Sequence, residues 1–189
     1  MGNYRIIGID PGVNGGIATV DTYEFSQAYP DSIRLYQMPK GSREERAVYI
    51  ARLIKAIEPA RTIIEKVQGF HGGRSTPVTS FIMGESFGHL TGAASVLESE
   101  LYYITPQAWM KQLGLKRGKG MSQGQWKSSL RDHAHKLFPD VKGITLKTCD
   151  ALLILQAGLD KYFKLSLLNG NIRTKEDTTA AEAHVGLGD

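Results

Sequence analysis

Three carboxylates in this sequence, those of Asp10, Glu65 and Asp150, stand at the ends of apolar segments. Asp10 and Glu65 each end a short Ile-rich run typical of a buried strand, and Asp150 begins an apolar run long enough for a helix. A carboxylate at the end of a buried strand is costly unless another group pairs with it. Asp10 alone fits a structural role at the Pro-Gly turn that follows it as well as a catalytic role. The two further acids favour catalysis.

The chemistry that such acids support is metal-dependent phosphodiester cleavage. If the strands ending on Asp10 and Glu65 are neighbours in one sheet, their carboxylates meet at its carboxyl edge, where α/β proteins commonly place sites. Clustered carboxylates repel one another, and a divalent cation bound between them offsets this repulsion. Hard oxygen ligands without a Cys/His set favour Mg²⁺, with Mn²⁺ as the alternative, over zinc. Two such ions about 4 Å apart can activate a water and stabilise the leaving oxygen.

Length and composition are those of a soluble globular protein. The 189 residues fit one domain, which we expect to span residues 1–168, followed by a polar tail at 169–189. No apolar run approaches the roughly 18 residues of a membrane helix, so no membrane partner is expected. The single cysteine, Cys149, excludes an internal disulfide and fits a reducing compartment. Without an export or transit-peptide pattern, we expect a cytoplasmic protein, or a phage-encoded one in its host's cytoplasm, rather than a chloroplast protein.

Charge is unevenly distributed along the chain. The net charge is +4, but residues 111–147 contain nine Lys and Arg against Asp132 and Asp140, and residues 174–189 contain four acids against Lys175. A basic lobe of this kind is typical of a protein that binds a polyanion such as nucleic acid. A solvated helix face is the alternative explanation.

The elements that must position the acids follow from apolar periodicity. Strands are predicted at residues 4–10, 16–23, 32–38, 61–66 and 101–104. Helices are predicted after the capping box of Ser42 and Glu45, over 77–98, from Thr105 onward, and over 122–137 and 146–168. This order predicts an α/β fold with a mixed five-stranded sheet, three antiparallel strands followed by parallel additions, flanked by helices. Gly84, Gly88 and Gly92 share one helix face and predict a close backbone contact there.

The segments around the acids resemble the motifs of RuvC-type Holliday junction resolvases, a family of the RNase H-like superfamily. The resemblance extends over about residues 4–165. It rests on Ile7-Gly8-Ile9-Asp10-Pro11-Gly12, on Ile63-Ile64-Glu65 with Gln68, and on Asp150-Ala151-Leu152-Leu153-Ile154. Residues 81–92 and 104–111 look closest to the phage and chloroplast branch.

The resemblance implies a Mg²⁺-dependent crossover junction endodeoxyribonuclease with an RNase H-like fold. Such a protein acts as a homodimer on branched DNA, binding a four-way junction and nicking two opposed strands symmetrically. Asp10, Glu65 and Asp150 match the family's catalytic, metal-binding acids.

Candidate DNA contacts lie in two loops. The family places an aromatic residue at the junction centre from the loop after the second acid, where this chain has Phe70 and His71. Stacking on a base is worth about 1–3 kcal/mol, and an aromatic folded back on the protein is the alternative. The residues that we expect to contact phosphates are Arg74, Lys116, Arg117 and Lys119. For Arg117 a solvated loop charge is an equal alternative.

The sequence departs from the family at Lys147. RuvC-type proteins usually carry another acid or a histidine one helical turn before the last acid. If one helix holds both residues, Lys147 and Asp150 share a face, and the ammonium lies near the metal cluster. It would then hold a phosphate oxygen, replace the charge of one cation, or weaken metal binding. If the helix begins later, Lys147 points to solvent. We count Lys147 as a candidate catalytic residue with these roles open.

Three other functions compete with junction resolution. The first is a less selective nuclease of the same superfamily, acting on branched or flap DNA. The second, which Lys147 keeps open, is a catalytically impaired junction-binding protein. The third is a sugar or acetate kinase-like fold, which also opens with a strand ending in Asp-x-Gly, but such chains are much longer and need phosphate-binding motifs absent here.

Overall fold

The computed structural model describes residues 3–23, 27–57, 60–67, 76–97 and 99–168. Within these ranges, strands and helices are arranged around one mixed sheet. The strands are β1 (Asn3–Ile9), β2 (Gly16–Tyr23), β3 (Gln27–Ala28), β4 (Arg34–Gln37), β5 (Ala60–Glu65) and β6 (Glu100–Ile104). The helices are α1 (Arg43–Ala56), α2 (Pro77–Val96), α3 (Pro106–Gln112), α4 (Gln123–Leu137) and α5 (Cys149–Gly158), which continues as a π-helical turn over Leu159–Phe163.

The sheet has an antiparallel and a parallel half. β1 pairs antiparallel with β2, and β2 pairs antiparallel with both β3 and β4 on its other side. β1 also pairs in parallel with β5, and β5 pairs in parallel with β6. Because Ile9 is the register partner of Ile64, the next residues, Asp10 and Glu65, leave the two strands at the same edge.

Alternation along the strands divides the core into two layers. Ile6 and Ile63 pack with α3, α4 and α5 on one face of the sheet, whereas Ile7 and Ile64 pack with α1 and α2 on the other. α5 is the centre of the first layer, since every side chain from Ala151 to Leu155 is fully buried. An all-apolar helix of this kind belongs in the interior rather than on the surface.

Side-chain caps begin the helices where the sequence predicts them. The Glu45 amide donates to Ser42 Oγ at 3.1 Å, and the Ser42 amide donates to Glu45 Oε2 at 2.6 Å, which completes the capping box of α1. Ser122 and Gln125 form a second capping box at the start of α4. Such caps stabilise a helix by about 1 kcal/mol, so the starts of α1 and α4 are fixed locally.

The predicted mixed sheet is confirmed, with two corrections to its elements. The described sheet has a sixth strand, β3, whose two residues are too few to produce an alternating pattern. The last helix begins at Cys149 rather than at residue 146. Residues 169–189, predicted to be a polar tail, lie outside the described residues. Among those described, no helix has both the length and the apolarity that a membrane span requires.

The contact predicted for the glycines of α2 is not made within the described chain. Apart from the backbone of α2 itself, no described atom lies within 4 Å of the position that a Cβ would take on Gly84, Gly88 or Gly92. α2 instead packs through another face, on which Ser86, Leu90 and Ala94 are buried. The glycine face is therefore left uncovered.

Candidate active site

Asp10 is held at the sheet edge by the hairpin that follows β1. Its amide donates to the Gly16 carbonyl at 3.0 Å, and its Oδ1 accepts from the Gly12 amide at 3.0 Å. A Cβ on Gly15 would lie 2.8 Å from Asp10 Cγ, so only glycine fits there. The Asp10 side chain is 16% exposed, which leaves the carboxylate open to the edge on one side.

Glu65 lies beside Asp10 and is oriented by a buried tryptophan. Glu65 Oε2 accepts a hydrogen bond from Trp109 Nε1 at 3.1 Å. Trp109 is 2% exposed and belongs to α3, which Thr105 caps directly after β6. Because β6 is paired with β5, the helix that carries Trp109 starts next to the strand that carries Glu65.

Asp150 is brought to the same edge by direct contact between α5 and β1. A Cβ on Gly8 would lie 2.7 Å from Leu155 Cβ and 2.8 Å from the Ala151 carbonyl oxygen, so the helix backbone rests against the strand. Asp150 lies in the first turn of α5, and its Oδ1 accepts a weak hydrogen bond from Cys149 Sγ at 3.3 Å. The close approach at Gly8 therefore fixes the position of Asp150 relative to β1.

Lys127 of α4 completes the cluster with a positive charge. Its Nζ donates to Asp150 Oδ2 and lies 3.8 Å from Asp10 Oδ2. Burial lowers the pKa of Lys127, but the pairs with Asp150 and Asp10 raise it more, so the ammonium is retained. Lys127 is thus a single cation shared between acids from the first and last parts of the domain.

Burial and repulsion make the negative charges of the cluster costly. Burial raises the pKa of Glu65 to about 8, Asp10 contributes to the same rise, and the Trp109 hydrogen bond opposes them. The pKa of Asp10 is also raised, first by burial and then by Asp150, against the opposing effects of Lys127 and the Gly12 amide. Without a bound cation, the environment of Glu65 therefore favours its protonated form.

The donor set fits a hard divalent cation, although the described side chains do not converge on one point. Within the described ranges, no three His, Cys, Asp or Glu side chains are close enough together to hold one ion. The three acids nevertheless perturb one another electrostatically across the same edge. A divalent cation would favour their ionised forms, and oxygen-only ligands suit Mg²⁺ or Mn²⁺. Lys127 supplies part of the positive charge that such a cation would bring to the acids.

Lys147 lies before α5 and not on it. The Thr145 amide donates to Thr148 Oγ1 at 2.8 Å, and Thr148 Oγ1 donates to the Gly143 carbonyl at 2.7 Å, so this segment is a hydrogen-bonded turn. Lys147 and Asp150 therefore do not share a helix face. In the described part of the chain Lys147 forms no ion pair with an acid, and it lines a cleft with Arg131 and His135.

The candidate DNA contacts divide into two groups. Phe70, His71 and Arg74 lie outside the described residues, as does Gln68. The others, Lys116, Arg117 and Lys119, are exposed in the loop between α3 and α4.

The Arg117 side chain stabilises that loop through hydrogen bonds to residues at its end. Its Nε donates to the Met121 carbonyl at 3.0 Å, and another guanidinium nitrogen donates to Gln123 Oε1 at 3.1 Å. Lys116 lies nearby in a cleft of about 620 Å³ between α3 and α4 that Lys111 also lines. The loop is therefore ordered by Arg117 and presents Lys116 and Lys111 toward a groove.

Two residues of the site do not stand out from the sequence. Lys127 is one of nine cations in the basic lobe, and nothing local distinguishes a lysine that turns inward from one on a solvated helix face. Trp109 has the pattern of a packing residue. Its position one turn into a helix that starts beside the strand carrying Glu65 is the signal that could have identified it.

Two solved structures of RuvC share this fold. The structure described as Thermus thermophilus RuvC in complex with Holliday junction substrate is 16% identical, with a TM-score of 0.55 over 83% of this chain and 94% of that chain. A second structure of Thermus thermophilus RuvC gives 16% identity and a TM-score of 0.55 over 85% of this chain and 96% of that one. No family model and no curated protein sequence matches this chain. The likeness shows that this chain has the RuvC fold.

Proposed function

We propose that this protein is a structure-selective DNA endonuclease that resolves four-way junctions by paired symmetric nicks. One observation carries the proposal: Asp10, Glu65 and Asp150, far apart in sequence, share one sheet edge in a chain with the RuvC fold. One RuvC structure with this fold is a complex with a Holliday junction substrate. The basic loop between α3 and α4 joins the helices whose Trp109 and Lys127 contact Glu65 and Asp150, and its charge suits a DNA backbone.

In this proposal Asp10, Glu65 and Asp150 hold Mg²⁺, or Mn²⁺ in its place. Mg²⁺ bound there would supply the charge that activates a water and stabilises the leaving oxygen in phosphodiester hydrolysis. Trp109 keeps Glu65 oriented as the carboxyl group loses its proton. The exposed backbone at Gly12, next to Asp10, leaves space for a phosphodiester.

Lys127 has a positioning role in the same proposal. Its side chain is 26% exposed, so the ammonium can follow a bound anion while remaining near Asp10 and Asp150. Before substrate binds, it offsets part of their charge. With DNA bound, the same ammonium can donate to a non-bridging phosphate oxygen, which is the strong, charge-assisted type of hydrogen bond.

The test is cleavage of a synthetic four-way junction with Mg²⁺, beside linear duplex and flap DNA of the same sequence. We expect paired nicks at symmetric positions on the junction, abolished in Asp10→Asn while junction binding remains. Cleavage of flap and junction at equal rates would instead identify a less selective branched-DNA nuclease.

A junction-binding protein without cleavage is the second candidate. Two observations favour it: Lys127 is already paired with the acids, and no three described acidic or histidine side chains surround one point. Tight binding of the junction by the unsubstituted protein, with no nicks in Mg²⁺ or Mn²⁺, would establish this candidate and refute the nuclease.

We also propose that the protein is a homodimer through the uncovered face of α2. This face combines the three glycines, which allow close approach, with large exposed apolar side chains. Phe81 is 71% exposed and Val78 is 67% exposed. Two copies related by a two-fold axis would present two active sites to opposed strands.

Sedimentation of the full chain at micromolar concentration tests this interface. We expect a dimer for the unsubstituted protein and a monomer for Phe81→Asp. The matched control is Val48→Asp, which changes an exposed apolar residue of α1 (47% exposed) and should leave the dimer intact. A monomeric unsubstituted protein, or a dimeric Phe81→Asp variant, would refute this interface.

A further inference from the structure

A second basic cleft is lined by residues of α4 that lie C-terminal to Lys127, farther along the helix from the loop between α3 and α4. It has a volume of about 710 Å³ and lies between α4 and the turn before α5. We refer to it as the Lys147 cleft. Its polar lining consists of Gln37, Arg131, Asp132, His135, Thr145 and Lys147.

Two residues that line the Lys147 cleft, Gln37 and Lys147, contact the hairpin that follows Asp10. The Gly16 carbonyl accepts from the Asp10 amide at 3.0 Å, and Gly16 is the register partner of Gln37. A Cβ on Gly16 would lie 2.5 Å from the Lys147 carbonyl oxygen. Gly16 therefore contacts Asp10, the end of β4 and the backbone at Lys147. Through these contacts the cleft adjoins the acidic edge.

Helix α4 carries two cations and a histidine from the acids toward the cleft. Lys127, Arg131 and His135 are four residues apart and form one row, in which each step advances about 6 Å along the helix. Lys127 pairs with the acids at one end of the row, and Arg131 and His135 line the cleft at the other. Such a row can follow a phosphodiester backbone away from the acidic edge.

The charges in the cleft are available to an anion. Among the described residues, Lys147 has no acidic partner, and the Arg131 guanidinium pairs with no acid other than the neighbouring Asp132, at 2.7 Å. Asp132 is 63% exposed, so this pair is screened by water and easily exchanged. Arginine and lysine are the side chains that most often bind phosphate oxygens.

From these contacts we infer that the Lys147 cleft binds a backbone phosphate of the DNA strand next to the phosphate that is cut. Lys147 and Arg131 make the contact, and the row on α4 connects it to Lys127 at the acids. The inference rests on the proposed function, and it gives Lys147 a substrate-binding role in place of an acidic metal ligand.

The experiment compares Lys147→Met and Arg131→Met with Lys55→Met and Arg52→Met, which remove exposed cations from α1. Binding of a labelled four-way junction is measured in EDTA at several salt concentrations. Each cleft variant should bind several-fold more weakly and lower the slope of log affinity against log salt by about one, as expected for one lost phosphate contact. The α1 variants should retain both values. Thermal melts check that all four fold.

A phosphate scan locates the contact. Junctions carrying one neutral methylphosphonate at a time should show one position near the cut where neutralisation weakens binding by the unsubstituted protein but not by Lys147→Met. Equal losses for both proteins at every position, or a Lys147→Met salt slope equal to that of Lys55→Met, would overturn the inference while leaving the nuclease intact. Failure of the unsubstituted protein to bind junctions would refute the proposed function and this inference together.

Discussion

The ammonium of Lys127 donates to Asp150 and lies 3.8 Å from the carboxylate of Asp10, so one lysine of α4 bridges acids that are 140 residues apart in sequence. These groups are mostly buried, with side-chain exposures of 26%, 14% and 16% for Lys127, Asp150 and Asp10. Without a bound cation, the lysine is the main source of positive charge for the cluster in the described part of the chain.

Removing this lysine should destabilise the metal-free protein. Lys127→Met removes the positive charge that two mostly buried carboxylates share, and we expect a loss of about 1–3 kcal/mol in EDTA at pH 7, less than for a fully buried pair. Millimolar Mg²⁺ should recover part of the loss, because the ion supplies the missing charge. The measurement is urea unfolding with and without Mg²⁺. Lys136→Met, an exposed position on the same helix, should change stability little, and equal stability of both variants in EDTA would contradict the prediction.

The hydrogen bond from Trp109 should set the pH dependence of cleavage. Trp109→Phe keeps an aromatic ring but removes the donor that lowers the pKa of Glu65, so that pKa should rise above its present value of about 8. More Glu65 is then protonated at pH 7, and the acidic limb of the pH–rate profile should move to higher pH. Single-turnover cleavage from pH 6 to 9.5 measures the movement of this limb. Trp126→Phe should leave the midpoint in place, and an unchanged profile for Trp109→Phe would exclude this role.

Glu65 should make the metal-free protein less stable as pH rises. Its folded pKa of about 8 lies above the ordinary value of 4.5, so the folded state binds more protons between these values, and stability is lost through that window. A tenfold difference in proton affinity between the folded and unfolded states corresponds to about 1.4 kcal/mol. In EDTA we therefore expect Glu65→Gln to be more stable than the unsubstituted protein at pH 8 and to show a flatter pH dependence.

The control for this pH series is Glu44→Gln. The pKa of Glu44 is lowered, chiefly by a hydrogen bond with Ser42, so Glu44 titrates below the window. Its substitution should leave the pH dependence from 5 to 8 unchanged. Parallel pH profiles for Glu65→Gln and the unsubstituted protein would show that Glu65 does not titrate in this range.

Close packing at Gly8 should be required for both stability and activity. In Gly8→Ala the new methyl group would meet the backbone of α5 at Ala151, and overpacking of this kind costs about 1–3 kcal/mol. Because α5 carries Asp150, we expect cleavage to fall even at temperatures where the variant is folded. Gly124→Ala in α4, where no described atom lies within 4 Å of the new methyl group, is the matched control and should be neutral or stabilising. Activity retained in a folded Gly8→Ala variant would refute the positioning role of this contact.

The sequence predicts those parts of the site that depend on local patterns. Asp10 and Glu65 stand out because each places a carboxylate at the end of an Ile-rich strand, where burial of an unpaired charge is unfavourable. The capping boxes likewise mark the starts of α1 and α4. The predicted start of the last helix at residue 146 is wrong because a Leu- and Thr-containing segment before an apolar helix also has helical periodicity; of the two positions left open for Lys147, the one before the helix is found. The hydroxyls of Thr145 and Thr148 form hydrogen bonds with nearby backbone groups, and these bonds hold the segment in a turn instead of a helix.

Lys127 cannot be identified in this way because its role depends on distant partners. Its direction is set by the packing of α4 on α5, and its two acids lie 117 positions before it and 23 after it. The sixth strand, β3, escapes prediction for a related reason, since two residues are held in place by pairing with β2 rather than by their own pattern.

The docking of α5 on Gly8 also bears on how the protein is made. Asp10 and Glu65 lie in the first half of the chain, but Asp150 reaches them only when the last described helix has settled against the first strand. A chain that is still emerging from the ribosome, or one cut before residue 149, therefore has an incomplete cluster of acids. In the proposed function, docking of the last described helix is the folding step that completes the active site.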